Sequence, residues 1–448
     1  MNSVVDTEKI LNMNIDHSKF CIVPFVQLNT RGKGDARVCC SIYGTDYGIP
    51  KNLTLDEIND ETYHADTEVY NLSTDKIEEL WNSNFMKDFR MKMLNGKHIP
   101  NCEFCHRMEQ GGFGSKRTGK NKKFLEKISP MLQNYYDMNG YVDAMPQWWE
   151  IRLSTKCNLS CVMCSPNQSS KMFKEYTKWE NNITNQMRGS LNIARNSGEE
   201  YLSKSSFFLN QIKQNLKNVI YMEFRGGEVF ADIDSVKFIN EIAETEFAKN
   251  ISLDISTNAT RIDKKIINIL NKFKGGLLRL SIDSFGYKDE LIRYHTNWDH
   301  VLLSLDNSRS LLDSWKITTQ TCIQSLNCIG IVDLLYFLDE YCKKTKFNNF
   351  KLGFTSVRGK EWLRHELVPT KIRRTEIIKI KQFADNSWLC NKKENIIAIE
   401  GLIKALQAKE YSNNQLKAKA KEYYDKLCEL RNVNYWNIFK HMEFLNGS

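Results

Sequence analysis

WWEIRLSTKCNLSCVMC, Trp148 to Cys164, decides how the rest of the chain is read. Its first half is apolar and aromatic and reads as a buried strand. Its second half places Cys157, Cys161 and Cys164 in a C-x3-C-x2-C loop directly after that strand. Three thiolates converging from one short loop can hold three irons of a cubane. The fourth iron then has no ligand from the loop, and an open metal position is where a substrate can bind. Soft thiolates suit iron–sulfur clusters or zinc. A structural zinc site would want a fourth Cys or His close by, and none follows. Ferredoxin loops use C-x2-C-x2-C or C-x4-C-x2-C, and this spacing matches neither.

Downstream of the loop, strands alternate with helices. NVIYMEF, ISLDISTN, LLRLSID, KITTQTCI and NFKLGFTSV read as five further strands, each preceded by a helical segment or by the polar stretch 181–215. That stretch reads as an insertion, partly helical. Six strands separated by helices predict an α/β fold with a parallel sheet. Right-handed crossovers would curl it into a partial (β/α)6 barrel. Ligands in such sheets sit at the carboxyl ends of the strands, and the motifs fall there.

Upstream, Cys21, Gly34 and Cys39 form C-x12-G-x4-C, and Cys102 and Cys105 form C-x2-C. Cys40 is an alternative to Cys39. The segment STDKIEELWNSNFMKDFRMKMLNG has helical periodicity in Ile77, Leu80, Trp81 and Phe85, with Ser73 or Thr74 as the N-cap and Gly96 as the stop. The chain divides into an N-terminal unit, 1–144, a core at 145–369, and a Lys-rich helical tail at 370–448 that reads as a packing cap.

The bulk composition bounds the function. With 41% hydrophobic and 26% charged residues the chain is globular. Its net charge of +9 comes from lysines scattered without an arginine–aromatic stripe, against a nucleic-acid interface. No stretch reads as a membrane span. The first residues carry acids and no apolar h-region, so a cytoplasmic protein is expected. Thirteen cysteines in such a compartment point to metal rather than disulfides, and eight of them precede residue 165.

CNLSCVMC resembles the radical S-adenosylmethionine (radical SAM) superfamily, whose signature is C-x3-C-x-Φ-C with Φ usually aromatic. Met163 stands at Φ, where relatives pack on the adenine, and a polarizable thioether can do the same. The resemblance spans most of 147–330. FRGGEVF is similar to the family's GGE motif. It implies contacts to S-adenosylmethionine from Gly226, Gly227 and Glu228, the carboxylate accepting from the ligand's ammonium. The family often has Pro where this chain has Val229. By the same resemblance Ser256 and Asn258 (STNAT), Ser281 and Asp283 (SIDSFG), Arg293 (for the ligand carboxylate) and Asn327 are ligand contacts.

The upstream cysteines resemble the twitch, or half-SPASM, auxiliary-cluster domain over about residues 20–117. This implies a second [4Fe–4S] cluster on Cys21, Cys39, Cys102 and Cys105. A full SPASM domain would place another cysteine where Gly111 stands. The domain also more often follows the radical core than precedes it. The resemblance implies reductive cleavage of S-adenosylmethionine at a [4Fe–4S] cluster, giving a 5′-deoxyadenosyl radical that abstracts hydrogen. The auxiliary cluster would transfer electrons, and a low-potential donor of flavodoxin or ferredoxin type would reduce the enzyme. The substrate class it implies is a peptide or protein, with a nucleotide or sugar as the alternative. A non-catalytic iron–sulfur or zinc protein is the rival from another class. No pattern names a general acid or base; His295 and His365 read as surface or structural histidines.

Overall fold

The computed structural model describes residues 15, 16, 18–42, 48–58, 61–64, 66–110, 114–179, 183–184, 201–357, 359–411 and 413–445. Most of the 181–215 stretch lies outside them; its described end forms a helix, Ser206–Asn215, which agrees with a partly helical insertion. The chain packs as two compact units that are not contiguous in sequence. One comprises 1–154, 200–225 and 245–251, and the other 155–199, 226–244 and 252–448.

In the first unit the strands run in the order Tyr221–Phe224, Trp148–Ile151, Gln27–Thr30, Ala36–Arg37. The first three are parallel, with Gln27 opposite Trp148 and Trp148 opposite Tyr221. The last closes an antiparallel hairpin, Asn29 opposite Arg37. Trp148–Ile151 is buried at all four positions, as a parallel strand covered on both faces should be. The strand at Gln27–Thr30 was not foreseen; QLNT lacks the β-branched run that signals a strand, and its pairing with distant Trp148 supplies what propensity does not. Gly34 turns this hairpin at φ +100°, and a Cβ there would meet the Asn71 side-chain oxygen at 2.0 Å. The glycine of the C-x12-G-x4-C pattern is therefore a steric requirement.

The segment read as one helix is two, Ile77–Trp81 and Asn84–Leu94. Neither Ser73 nor Thr74 caps it. Lys76 stands at the first N-cap without a side-chain bond, and Ser83 caps the second helix by accepting from the Met86 N–H. The Asn82 carboxamide explains the break. It binds Val142 and Arg90 rather than continuing the helix. Gly96, at φ +62°, ends the second helix as expected.

The second unit holds four parallel strands in the order Phe350–Lys351, Trp315–Thr319, Gly275–Leu280, Ser252–Thr257. Helices Ile233–Ala243, Lys264–Leu270, Trp298–Ser308 and Ile331–Thr345 follow the strand order of an α/β protein. Two of the expected strands are broken. KITTQTCI divides at Gln320, whose N–H bonds to Leu280 O, and resumes as Thr321–Ile323. That piece pairs with Phe354–Ser356, the second half of NFKLGFTSV. The tail forms helices Thr370–Asn386, Lys393–Leu406 and Asn414–Arg431. Among the described residues no helix is long and apolar enough to cross a membrane.

Candidate active site

The cluster loop lies in the second unit and is anchored by a short antiparallel bridge. Ser160–Cys161 pairs with Arg293–Tyr294, Cys161 opposite Arg293. Beyond the loop, Ser169 starts the helix Ser170–Trp179: its hydroxyl accepts from the Met172 N–H and donates to Leu159 O at 2.8 Å. The loop is thus fixed to both the strand bridge and the helix that follows it.

Burial pushes the Cys157 and Cys161 thiols up to about 12 and Cys164 to about 11. Cys164 adds to the rise at Cys157, Cys157 at Cys161, and Cys161 at Cys164, so the three sulfurs feel one another. As bare thiolates they would be unstable; a bound metal reverses this by deprotonating its thiol ligands outright. Among the described residues no group of three or more His, Cys, Asp or Glu is placed to hold a single metal ion. Three soft sulfur donors on one loop have the chemistry that iron–sulfur clusters take.

Arg293 is buried and reaches two partners, the Asp283 carboxylate at 2.9 Å and the Cys161 sulfur at 3.7 Å. Asp283 also accepts from the Cys322 N–H at 2.7 Å, and its own N–H bonds to Asp289. Asn327 turns inward: it donates to Asp283 O and Cys322 O and accepts from the Gln324 N–H, so its side chain closes a turn. Gly226 and Gly227 both have positive φ, +80° and +52°. A Cβ on Gly227 would lie 2.3 Å from Lys156 O, the residue before Cys157. Gly227 therefore packs its own backbone against the start of the cluster loop.

Glu228 is buried and accepts from Thr257 Oγ1 at 2.7 Å, the Asn258 N–H at 2.5 Å and the Phe230 N–H at 3.1 Å. Desolvation raises its pKa against those bonds. Asn258 in turn donates to Asn158 Oδ1 at 2.8 Å, and Asn158 donates to Thr260 at 2.9 Å. GGE, STNAT and the cysteine loop are thereby one hydrogen-bonded assembly. Ser256 donates to Gln320 at 3.2 Å, and Ser281 follows strand Gly275–Leu280 with its N–H on Thr257 O. Met163 is half-buried. A cavity of about 850 Å³ opens next to Asn158 and Thr260, and none of the residues assigned to S-adenosylmethionine lines it.

Lys360, Tyr176, Tyr423 and Arg431, all buried beneath the loop, carry no signal in the linear sequence. Lys360 Nζ lies 3.0 Å from Val162 O and 2.5 Å from Cys164 O. Burial lowers its pKa to about 7, against the pull of the Cys164 and Cys161 thiolates. Arg431 donates to Ser160 O and Glu175. The tail is therefore part of the site's support. His365 is buried with Nε2 on Ala405 O, a structural histidine, and His295 rests against the Tyr294 ring.

In the first unit Cys21, Cys39, Cys102 and Cys105 group together. Burial raises Cys21 and Cys39 to about 12 and Cys102 higher still. Cys102 is further raised by Cys39, Cys21 and Cys105. Cys40, beside Cys39, is exposed and its sulfur accepts from Lys116 Nζ at 3.1 Å, whereas Cys39 is half-buried.

Residues 151–323 match the radical SAM superfamily, and residues 21–107 match SPASM, an iron–sulfur cluster-binding domain. No curated protein matches the chain. Among solved structures, Streptococcus suis SuiB bound to its precursor peptide SuiA is 16% identical with a TM-score of 0.36, over 67% of this chain and 64% of that one. SuiB bound to S-adenosylmethionine is 17% identical with a TM-score of 0.32, over 67% of this chain and 62% of that one. The chain thus spans slightly less than two thirds of the SuiB chains it matches.

Proposed function

Since the protein is an enzyme of the radical SAM superfamily with a SPASM-type iron–sulfur domain, we propose that Cys157, Cys161 and Cys164 hold its catalytic [4Fe–4S] cluster and that it modifies a peptide or protein. One observation supports the ligand set above all. Cys157, Cys161 and Cys164 stand in one loop, Cys161 buried and the other two half-buried, and Arg293 donates to the middle sulfur. When bound, the cluster and S-adenosylmethionine supply one-electron cleavage of a sulfonium and hydrogen abstraction from the substrate.

The chain's own residues orient and shield that chemistry. The three cysteines leave one coordination position without a ligand from the loop. Arg293 neutralises thiolate charge while Asp283 holds its guanidinium in place. Gly226 and Gly227, both at positive φ, let the backbone pack closely against the start of the loop, and Glu228 holds a buried carboxylate fixed by three donors. Met163 offers its thioether beside Cys164 as an adenine platform. Burial of the surrounding side chains excludes water. Cys21, Cys39, Cys102 and Cys105 form the ligand set of an auxiliary cluster. With all four sites taken by thiolates, its role is electron transfer rather than substrate ligation. The match to a SPASM-type domain is what supports a peptide or protein substrate over a nucleotide or sugar.

The test is anaerobic reconstitution with iron and sulfide, then reduction by dithionite with S-adenosylmethionine present. The reading expects 5′-deoxyadenosine, its loss in Cys161→Ala, and its retention in Cys102→Ala with substrate turnover blocked. A cluster-loaded wild-type protein that releases no 5′-deoxyadenosine refutes it.

A further inference from the structure

The loop that carries the three cysteines is gripped from beneath by side chains that the proposed chemistry does not use. Its carbonyls at Ser160, Val162 and Cys164 all accept from outside the loop. Tyr423 Oη donates to Val162 O at 2.7 Å, and Arg431 donates to Ser160 O at 2.5 Å. Lys360 Nζ spans Val162 O and Cys164 O, the two carbonyls that flank Met163. The same ammonium lies 2.6 Å from Tyr176 Oη and 3.0 Å from Tyr423 Oη, and the two phenols are 2.9 Å apart. Protons can be assigned without conflict. Tyr423 gives its proton to Val162 O and Tyr176 gives its own to Tyr423, while the ammonium's three serve Cys164 O, Tyr176 Oη and Val162 O.

This pocket is expensive to build. Lys360 is 5% exposed, and Tyr176 and Tyr423 are almost wholly buried. A buried cation is strongly disfavoured unless it is paired. Among the described residues no carboxylate lies within ion-pair distance of Lys360; nearby Glu175 is committed to Arg431 at 2.7 Å. The two phenol rings add weak cation–π support, at 5.2 and 4.8 Å to their centroids. The partners of Lys360 are the carbonyls of Val162 and Cys164 and the two phenols. Cys164 belongs to the proposed ligand set, so the negative charge nearest this cation is that of the metal centre once it is assembled.

We infer that Lys360 is a positioning residue and counter-cation for the catalytic cluster: it fixes the backbone on both sides of Met163 and raises the cluster's reduction potential. The inference rests on the ligand set proposed above. Charge and hydrogen bonding around the ligating sulfurs are the means by which a protein tunes an iron–sulfur cluster. A cation hydrogen-bonded to the backbone of a ligand residue favours the reduced, more negative cluster. By pinning the carbonyls at 162 and 164 it also holds Met163 at a fixed height above the loop. Tyr423 and Tyr176 keep the ammonium in place, so the tail helix Asn414–Arg431 becomes a redox element rather than a passive cap.

The test uses the full-length, reconstituted protein. Each cluster's midpoint potential is read by EPR-monitored redox titration, and S-adenosylmethionine affinity is read from the change that ligand causes in the catalytic cluster's EPR signal. Lys360→Met should move the catalytic cluster's potential to more negative values, leave the auxiliary cluster's where it was, and weaken S-adenosylmethionine binding roughly tenfold, the low end of what loss of an outer partner costs. Lys360→Arg, which keeps the charge, should restore most of the potential. Tyr423→Phe, which keeps the ring and removes one donor to Val162 O, should give a smaller shift in the same direction and remains informative if Lys360→Met does not fold. An unchanged catalytic potential in cluster-loaded Lys360→Met, or in Tyr423→Phe if only that variant loads, overturns the inference. Equal shifts in both clusters do so too. A wild-type protein whose EPR signal ignores S-adenosylmethionine would instead refute the underlying ligand assignment, so the two failures are distinct.

Discussion

Arg431 donates from Nη2 to the carbonyl oxygen of Ser160 at 2.5 Å, a bond that joins positions 271 residues apart. The same nitrogen holds Glu175 at 2.7 Å, with Arg431 itself almost fully buried. A buried charge whose partner is removed is left uncompensated, at a cost of about 3–5 kcal/mol. Arg431→Met should therefore lower the urea midpoint of unfolding sharply. Glu175→Gln added to it should recover part of the loss by removing the orphaned charge. If the double variant is no more stable than the single one, the pair is not what Arg431 contributes.

Arg293 ties Asp283 to Cys161. In Arg293→Met the buried Asp283 loses its cation and the Cys161 sulfur loses its donor. Iron and sulfide analysis after reconstitution should show the catalytic cluster's share missing and the auxiliary share retained. Asp283→Asn in the same chain should recover folding but not the missing iron. Full iron loading in Arg293→Met would contradict this role.

Two glycines give opposite expectations for the same substitution. Gly227 sits at φ +52° with Lys156 O where its Cβ would go. Gly227→Ala must displace the backbone next to Cys157, and S-adenosylmethionine binding should fall with it. Gly119 lies exposed within the helix Lys116–Ile128 with nothing within 4 Å. Gly119→Ala should stabilise by roughly 0.5–1 kcal/mol through the lost flexibility of the unfolded chain. Thermal unfolding and a ligand titration of the two variants check both halves.

Cys39 and Cys40 are neighbours with different fates. Cys39 shares the electrostatic environment of Cys21 and Cys102, whereas Cys40 is exposed against Lys116. Cys39→Ser should abolish the auxiliary cluster's absorption and EPR signals, and Cys40→Ser should leave them intact. The reverse pattern would exchange their roles.

These residues also mark how far a linear reading reaches. The C-x3-C-x2-C loop and the GGE string are legible locally: spacing alone puts the sulfurs on one loop, and two adjacent glycines mark a turn, although it is Lys156 that makes Gly227 a steric requirement. The choice between Cys39 and Cys40 is not local, because adjacent side chains diverge and only the packing of Lys116 and Cys102 around them selects one. The helix break at Asn82 escapes periodicity for a similar reason. Its carboxamide answers to Val142 and Arg90, not to its own turn.

From the amino-acid order alone came the chemistry: three thiols after a strand, a glycine pair and a carboxylate at the next strand's end, and five more cysteines upstream. Folding in three dimensions decided what surrounds that chemistry. Gln27–Thr30 became a strand because Trp148 lay beside it, and Lys360, Tyr423 and Arg431 became supports of the cysteine loop from 196 to 271 positions away from the atoms they hold. Spacing encodes a ligand set because ligands from one loop share a backbone. It cannot encode a buried cation beneath that loop, since such contacts are set by which faces the whole chain must bury together.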